Sequence, residues 1–196
     1  MKFGSIALAL AALLSSANAR AEGWLRVDGT QIVDESGQPV ILRGMGLGGW
    51  MLQEGYMLQL GEVGQQHRIR AKLVELVGEK RTAEFYRAWL DNHTTEADID
   101  QMAKWGFNSV RLPIHFDQLT LPADKEPKAG QDTWHEEGFA RIDRLLAWSK
   151  ANGIYLILDL HAAPGGQGND LAISDRDPAK PSLWQSEENQ RKTVAL

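Results

Sequence analysis

GIYLILDLHAAPGGQGND, residues 153 to 170, opens on a glycine, runs from Ile154 to Leu160 almost without a polar residue, and ends in a glycine-rich loop. A strand apolar on both faces belongs to a sheet covered on both sides, as parallel sheets are. Upstream, Phe139, Ile142, Leu145 and Leu146 recur at helical spacing, and Gly153 stands where a helix is stopped. The same grammar occurs once earlier. Thr95 is an N-cap with Asp98 completing a capping box, Ile99, Met102 and Ala103 form the apolar stripe, and Gly106 ends the helix. Phe107 to Leu112 then runs into Pro113 as a strand. Helix, glycine and strand in repeated order imply an α/β fold with a parallel sheet.

Working outward, Trp24 to Val27 and Pro39 to Leu42 are expected as two short strands around turn residues. The second leads into GMGLGGWMLQEGYM, residues 44 to 57. Two helices should follow, Gln65 to Val77 and Glu79 to Asp91, parted by Gly78. A last helix begins near Ser186, its N-cap, and is still running at Leu196. The connections are lopsided: helices reach strands through little more than a glycine, whereas strands are followed by long loops at 44–64, 113–134 and 161–185. Ligands of α/β proteins bind at the carboxyl ends of strands, so these loops mark the site. Three core strands are fewer than a closed barrel needs, and the expectation is a truncated chain; a small open α/β domain is the competing reading, and it would leave two exposed sheet edges.

Composition narrows the partners. With 43% hydrophobic and 24% charged residues the chain is ordinary globular material, and a net charge of -5 offers no positive field for nucleic acid or anionic membrane. Cysteine is absent, which removes disulfides, a lipid anchor on Cys and thiolate metal sites. Lys2, the apolar run Ile6 to Leu14 and the small residues after it read as a signal peptide, residues 1–21, cleaved after Ala19 or Ala21. The protein is therefore expected to be secreted, periplasmic or extracellular, and the sequence is silent on oligomeric state.

Strand alternation puts Ser109 and Arg111 on one face of their strand, and Ile157, Asp159 and His161 on one face of the next. Arg111, Asp159 and His161 should then gather at the rim, either as a structural Arg111–Asp159 ion pair or with Arg111 orienting a catalytic carboxylate. An Asp and a His two residues apart are too few ligands for a metal, and only His115 should share the rim, so neither metal nor other cofactor is expected. Of the 7 tryptophans, Trp89, Trp105 and Trp148 lie on helical segments and read as core packing. Trp50, Trp134 and Trp184 fall on strand-end loops and suit stacking on sugar rings.

LRGMGLGGWMLQEGYM, VRLPIHF and LILDLHAAPGGQG, in that order, resemble the first three strand motifs of glycoside hydrolase family 5, the cellulase and exo-β-1,3-glucanase family. The resemblance covers nearly all of the chain after the signal peptide. It implies a (β/α)₈ TIM barrel, of which residues 22–196 supply an N-terminal hairpin and about three β/α units, and a retaining mechanism with two glutamates. It further implies that Arg111 braces the nucleophile, that His161 lies beside the innermost sugar, and that Glu54 and Tyr56 match the Glu-x-Tyr that contacts the terminal sugar. His115 and Asp170 are further substrate-side matches; Trp50 joins the substrate-binding candidates from its loop position alone. Both glutamates belong to strands beyond these motifs; Lys125-Glu126-Pro127 mimics the acid/base triplet but lacks the asparagine and reads as a surface loop. The expectation is a β-glucan or oligosaccharide hydrolase that is inactive as given. Alternatives are a non-catalytic carbohydrate-binding remnant and a metal-dependent barrel hydrolase built on Asp159 and His161.

Overall fold

A computed structural model describes residues 23–196 of the chain. The signal-peptide reading, residues 1–21, and its cleavage after Ala19 or Ala21 lie outside the described residues. The described chain opens on an antiparallel hairpin, β1 (Arg26–Asp28) and β2 (Gln31–Val33), with Arg26 opposite Val33. Its turn uses Gly29 at φ +60, the left-handed backbone that an Asp-Gly step accommodates. The strand expected at Pro39–Leu42 does not form. Pro39 makes a single antiparallel bridge to Val33, and Val40 N–H donates to Ile32 O at 2.8 Å. Asp28-Gly29 is the stronger hairpin signal, and Pro39 has no N–H to give to a ladder.

The central sheet has three parallel strands in the order β3-β4-β5: β3 (Gly44–Gly46), β4 (Ser109–His115) and β5 (Tyr155–Ala162). Gly44 pairs with Ser109, and Ser109 with Tyr155. β3 therefore falls inside the glycine-rich stretch read as a loop, not before it. Close approach explains the glycine: a Cβ on Gly44 would sit 2.9 Å from Ser109 Oγ. The sheet is open, the arrangement of the first strands and helices of a (β/α)₈ barrel.

The helices begin and end where their capping residues put them. α1 (Gln66–Asn92) is broken at Gly78, whose φ of 80 and ψ of 160 are not helical, so it is in effect the expected pair. α2 (Glu96–Lys104) carries its capping box, with Asp98 Oδ2 accepting from Thr95 N–H at 2.8 Å. After α2, Phe107 N–H donates to Met102 O and Gly106 N–H to Ala103 O; after α3 (Glu136–Ala151), Ile154 and Gly153 repeat that pattern on Ser149 and Lys150. Both are Schellman endings, and each turns the chain straight into a strand. α4 (Glu187–Ala195) starts at Ser186, whose hydroxyl accepts from Asn189 N–H.

One face of the sheet is packed. Val110, Leu112 and Ile114 of β4 join Ile99 of α2, Leu145 of α3, and Leu47, Trp50 and Met51 from the loop after β3 in a continuous core. Trp105, read as core, is instead 67% exposed: it is the C-cap of α2 and lies at the helix end, beyond the apolar stripe.

The loop after β4 also departs from the expectation. Lys125-Glu126-Pro127 is not a surface loop at its middle residue, because the Glu126 side chain is 1% exposed. Lys192 of α4, itself 0% exposed, reaches Glu126 Oε1 at 2.6 Å, Asp132 Oδ1 at 2.9 Å and Thr120 Oγ1 at 3.0 Å. Burial pushes the Glu126 carboxyl up, but the Lys192 ammonium and the Thr133 N–H and hydroxyl outweigh it and hold it at about 2. Its partner comes from 66 positions along the chain, so local sequence gave no sign of it.

Candidate sugar-binding site at the strand ends

Parallel register puts Arg111 opposite Ile157 and Pro113 opposite Asp159. Alternation then brings Arg111, Asp159 and His161 to the face of the sheet away from α2 and α3. Arg111 Nη2 donates to Asp159 Oδ2 and lies 3.0 Å from His161 Nδ1, which is 2.9 Å from the same Asp159 oxygen. A guanidinium only donates and a carboxylate only accepts, so one ring nitrogen cannot serve both. A proton on Nδ1 satisfies Asp159, which already takes a bond from Arg111. The opposite tautomer would set a ring lone pair 2.9 Å from a carboxylate oxygen. In a neutral ring with that tautomer, His161 Nε2 is an acceptor.

Glu54, from the loop after β3, completes the group. It is 5% exposed, with Oε1 at 3.9 Å from His161 Nε2 and Oε2 at 3.4 Å from the Tyr56 hydroxyl. The Glu54 carboxylate beside it raises the Tyr56 phenol above its ordinary value. Tyr56 is exposed. With a neutral ring the Glu54 carboxylate and His161 Nε2 stand 3.9 Å apart, with no direct bond between them. The Arg111 side chain is 47% exposed, so its pair with Asp159 keeps much of its hydration, and the guanidinium retains donors for a further carboxylate.

The other sequence-derived residues go elsewhere. Trp50 is a core side chain at 2% exposure, its Nε1–H donating to Leu90 O at 2.8 Å; it is not an exposed stacking ring. The glycines before it let the loop dive under α1 and carry the indole inward. His115 is 2% exposed and its ring nitrogens face Asp117 and Asp175 instead of His161, while the register shift beside it skips His161 on β5, with Ile114 opposite Leu160 and His115 opposite Ala162. Asp170 is exposed, and its Oδ1 accepts from Ala172 N–H at 3.0 Å in a local turn. Trp184 fits its expectation of exposure at 69%, with Nε1–H bound to Gln167 O at 2.8 Å; Trp134 is at 38%.

Sequence reasoning passed over Gln167, Asp117 and Asp175. Gln167 Nε2 donates to His161 O at 2.5 Å while its Oε1 accepts from Ala163 N–H at 3.0 Å, clamping the end of β5. The glycines flanking Gln167 were the available signal. A separate cleft of about 1170 Å³ lies between α1 and the loops after β4 and β5, lined by Tyr86, Phe116 and Leu121 among others. It includes His115 and none of Glu54, Arg111, Asp159 or His161. Chemistry and not volume therefore locates the candidate site. Among the described residues, no group of three or more His, Asp or Glu side chains is placed to hold a metal ion, and no helix is long and apolar enough to cross a membrane.

The family model "Cellulase (glycosyl hydrolase family 5)" matches residues 33–193, which takes in every residue of this group. The chain belongs to glycosyl hydrolase family 5. Two relatives align with most of its length. It is 37% identical over 176 residues to "Beta-xylosidase" of Phanerodontia chrysosporium, covering 88% of this chain and 34% of that protein. It is 30% identical to "Probable glucan 1,3-beta-glucosidase A" of Emericella nidulans, covering 78% of this chain and 36% of the relative. The chain thus spans about a third of these relatives' length. In fold it is similar to the crystal structure of rutinosidase from Aspergillus niger, with TM-score 0.55 and 20% identity over 77% of this chain and 40% of that one. The three β/α units are the beginning of a family 5 (β/α)₈ barrel.

Proposed function

We propose that this chain carries the sugar-recognising part of a retaining glycoside hydrolase acting on β-glucosidic bonds in β-glucans or cello- and laminari-oligosaccharides. The observation that carries the reading is the contiguous set Glu54, His161, Asp159 and Arg111 at the carboxyl ends of parallel strands. Glu54 and Tyr56 would hold the hydroxyls of the terminal sugar, His161 would accept from one beside the scissile bond, and Arg111 would keep a nucleophilic carboxylate ionised and aimed. A retaining mechanism needs two carboxyl groups about 5–5.5 Å apart, one to protonate the leaving oxygen and one to attack the anomeric carbon. Glu54 is engaged by Tyr56 and Asp159 by Arg111, so neither is offered to that task. Residues 22–196 alone are accordingly expected to hydrolyse nothing.

The names of the relatives widen the substrates worth testing, since one is a β-xylosidase and another a glucan 1,3-β-glucosidase. The test is hydrolysis of aryl β-glucosides, aryl β-xylosides and laminari-oligosaccharides by the chain and by any longer form that supplies an Asn-Glu-Pro strand. Turnover by the longer form only, retained on glucosides, supports the reading; turnover by residues 22–196 that Glu54→Gln abolishes would make Glu54 catalytic and overturn it. Binding of laminari-oligosaccharides with no hydrolysis in any form would favour the non-catalytic alternative. Export belongs to the same proposal: mass spectrometry of secreted material should find a mature chain beginning at Arg20 or Glu22.

A further inference from the structure

The loop after β5 returns toward the sheet through a residue with an unusual backbone. Asp175 has φ +50, in the left-handed region that side chains other than glycine rarely enter. Its side chain is only 9% exposed, and both carboxylate oxygens are engaged. Oδ1 accepts from His67 N–H at 3.0 Å and lies 2.8 Å from His67 Nδ1, at the start of α1. Oδ2 lies 3.0 Å from Nε2 of the buried His115, at the end of β4. Asp117 Oδ1 sits 2.8 Å from the other nitrogen of that ring. Burial would push His115 down, but the Asp117 and Asp175 carboxylates outweigh it and lift the ring to about 10. The next residue adds to the tie, with Gln65 Nε2 donating to Arg176 O at 2.9 Å.

From there the contact runs to the candidate site. Segment 174–176 lies against segment 166–168: a Cβ on Gly166 would come 2.8 Å from Arg176 Cβ, and Gly168 N–H reaches Ser174 Oγ at 3.4 Å. Between those glycines stands Gln167, which clamps His161 O and Ala163 N–H. One carboxylate thus holds two histidines from different elements, one with each oxygen.

We propose that Asp175 is a positioning residue of the sugar site, a bolt that fixes the loop after β5 to α1 and to the end of β4 and thereby fixes Gln167 and the backbone of His161. Its link to function rests on the reading of His161 given above. The test is made on the chain itself, comparing Asp175→Asn, Asp175→Gly and Thr95→Ala by amide hydrogen exchange and by imidazole NMR at fixed pH. Asp175→Gly relieves the backbone while deleting the carboxylate, and Thr95→Ala removes a helix cap of α2 as a control for general destabilisation. Loss of charge-assisted bonds should speed exchange at Ala163 N–H about tenfold in both Asp175 variants and shift the His161 ring resonances, with neither change in Thr95→Ala. Should the Asp175 variants not fold, His67→Gln removes only the side-chain half of the α1 tie and should give a smaller change at the same two probes. Unchanged exchange at Ala163 and unchanged His161 resonances in the variants that fold, or the same changes in Thr95→Ala, would overturn the proposal. In a form that hydrolyses glycosides, Asp175→Asn should lower kcat/KM; absence of hydrolysis in every form would end the functional reading while exchange and resonances still decide the role of Asp175.

Discussion

Arg111 and Leu112 are neighbours on β4, yet they belong to two different environments. Leu112 is 0% exposed, as is Val110, and Ile114 is 3% exposed, all against α2 and α3. Across the sheet, the Arg111 side chain is 47% exposed beside Asp159, and Ile157 is 39% exposed. The packed face explains why the chain folds: its residues are apolar, continuous and interchangeable in chemistry. The open face carries charge, hydroxyl acceptors and an unpacked isoleucine, none of which helps to bury a core. The helix layer also thins along β5, where Leu158, the register partner of Leu112, is 56% exposed. Stability and chemistry are thus divided between alternating residues of one strand, and substitutions should divide the same way.

The largest expected effect lies outside both faces, in the buried ion cluster that joins α4 to the loop after β4. Lys192→Met would leave the buried Glu126 without a cation, while Asp132 keeps Arg191 at 2.8 and 2.9 Å, and stranding a buried charge typically costs about 3–5 kcal/mol. Chemical denaturation should show the loss, and a change below about 1 kcal/mol would mean that the carboxylates protonate or hydrate cheaply. Acid should act on the same cluster. Glu126 is depressed from its ordinary 4.5 to about 2, so its contribution is fully present above pH 4.5 and is lost as pH falls through 2. His115 has the opposite sign. Raised from 6.5 to about 10 between Asp117 and Asp175, it contributes stability that is fully present below pH 6.5 and is lost as pH rises through 10. Stability should therefore be highest between about pH 4.5 and 6.5 and fall on either side; a curve flat from pH 6.5 to 10 would show that His115 is already neutral.

Next in size is Leu112→Ala, expected to cost about 2–5 kcal/mol through lost burial and the cavity left behind. It should leave the geometry of Arg111, Asp159 and His161 intact, because the side chains on the two faces do not share neighbours across the sheet. Thermal melting together with the His161 ring resonances checks both halves of that statement. A stable Leu112→Ala chain with altered His161 resonances would show that the faces are coupled.

The same division decides what could be read from sequence. Local signals were legible: the capping box at Thr95 and Asp98, the stops at Gly106 and Gly153, the break at Gly78 and the cap at Ser186 all depend on residues within a few positions of one another. So was the grouping of Arg111, Asp159 and His161, since alternation along two paired strands requires it. Legibility failed where a distant partner or an irregularity intervened. β3 hides in glycines because it is defined by its neighbour Ser109, not by its own side chains. His115 is enclosed by Asp117 and by Asp175, the second of which comes from a distant loop, and Trp50 went to the core because α1 covers it. Glu126 looked like a surface residue until Lys192 came from the far end of the chain.

The smallest expected effect on stability, and the sharpest test of the division, is Arg111→Ala. A half-exposed ion pair is worth about 0–1 kcal/mol, because water already solvates both partners and salt screens them. The Asp159 side chain is 27% exposed and keeps His161 Nδ1 at 2.9 Å, so no carboxylate is stranded in a dry site. The melting temperature of the chain should consequently move little. In a longer form able to hydrolyse β-glucosides, the same substitution should lower kcat by about a hundredfold or more, as removal of a preorganised charge at a reacting centre does. Glu54→Ala should behave differently, raising KM at least as much as it lowers kcat, because a contact to the terminal sugar is made in the ground state as well as in the transition state. If Arg111→Ala instead cost several kcal/mol of stability with kcat intact, the Arg111–Asp159 pair would be a structural bond of the sheet, and the open face would lose its claim to be the site.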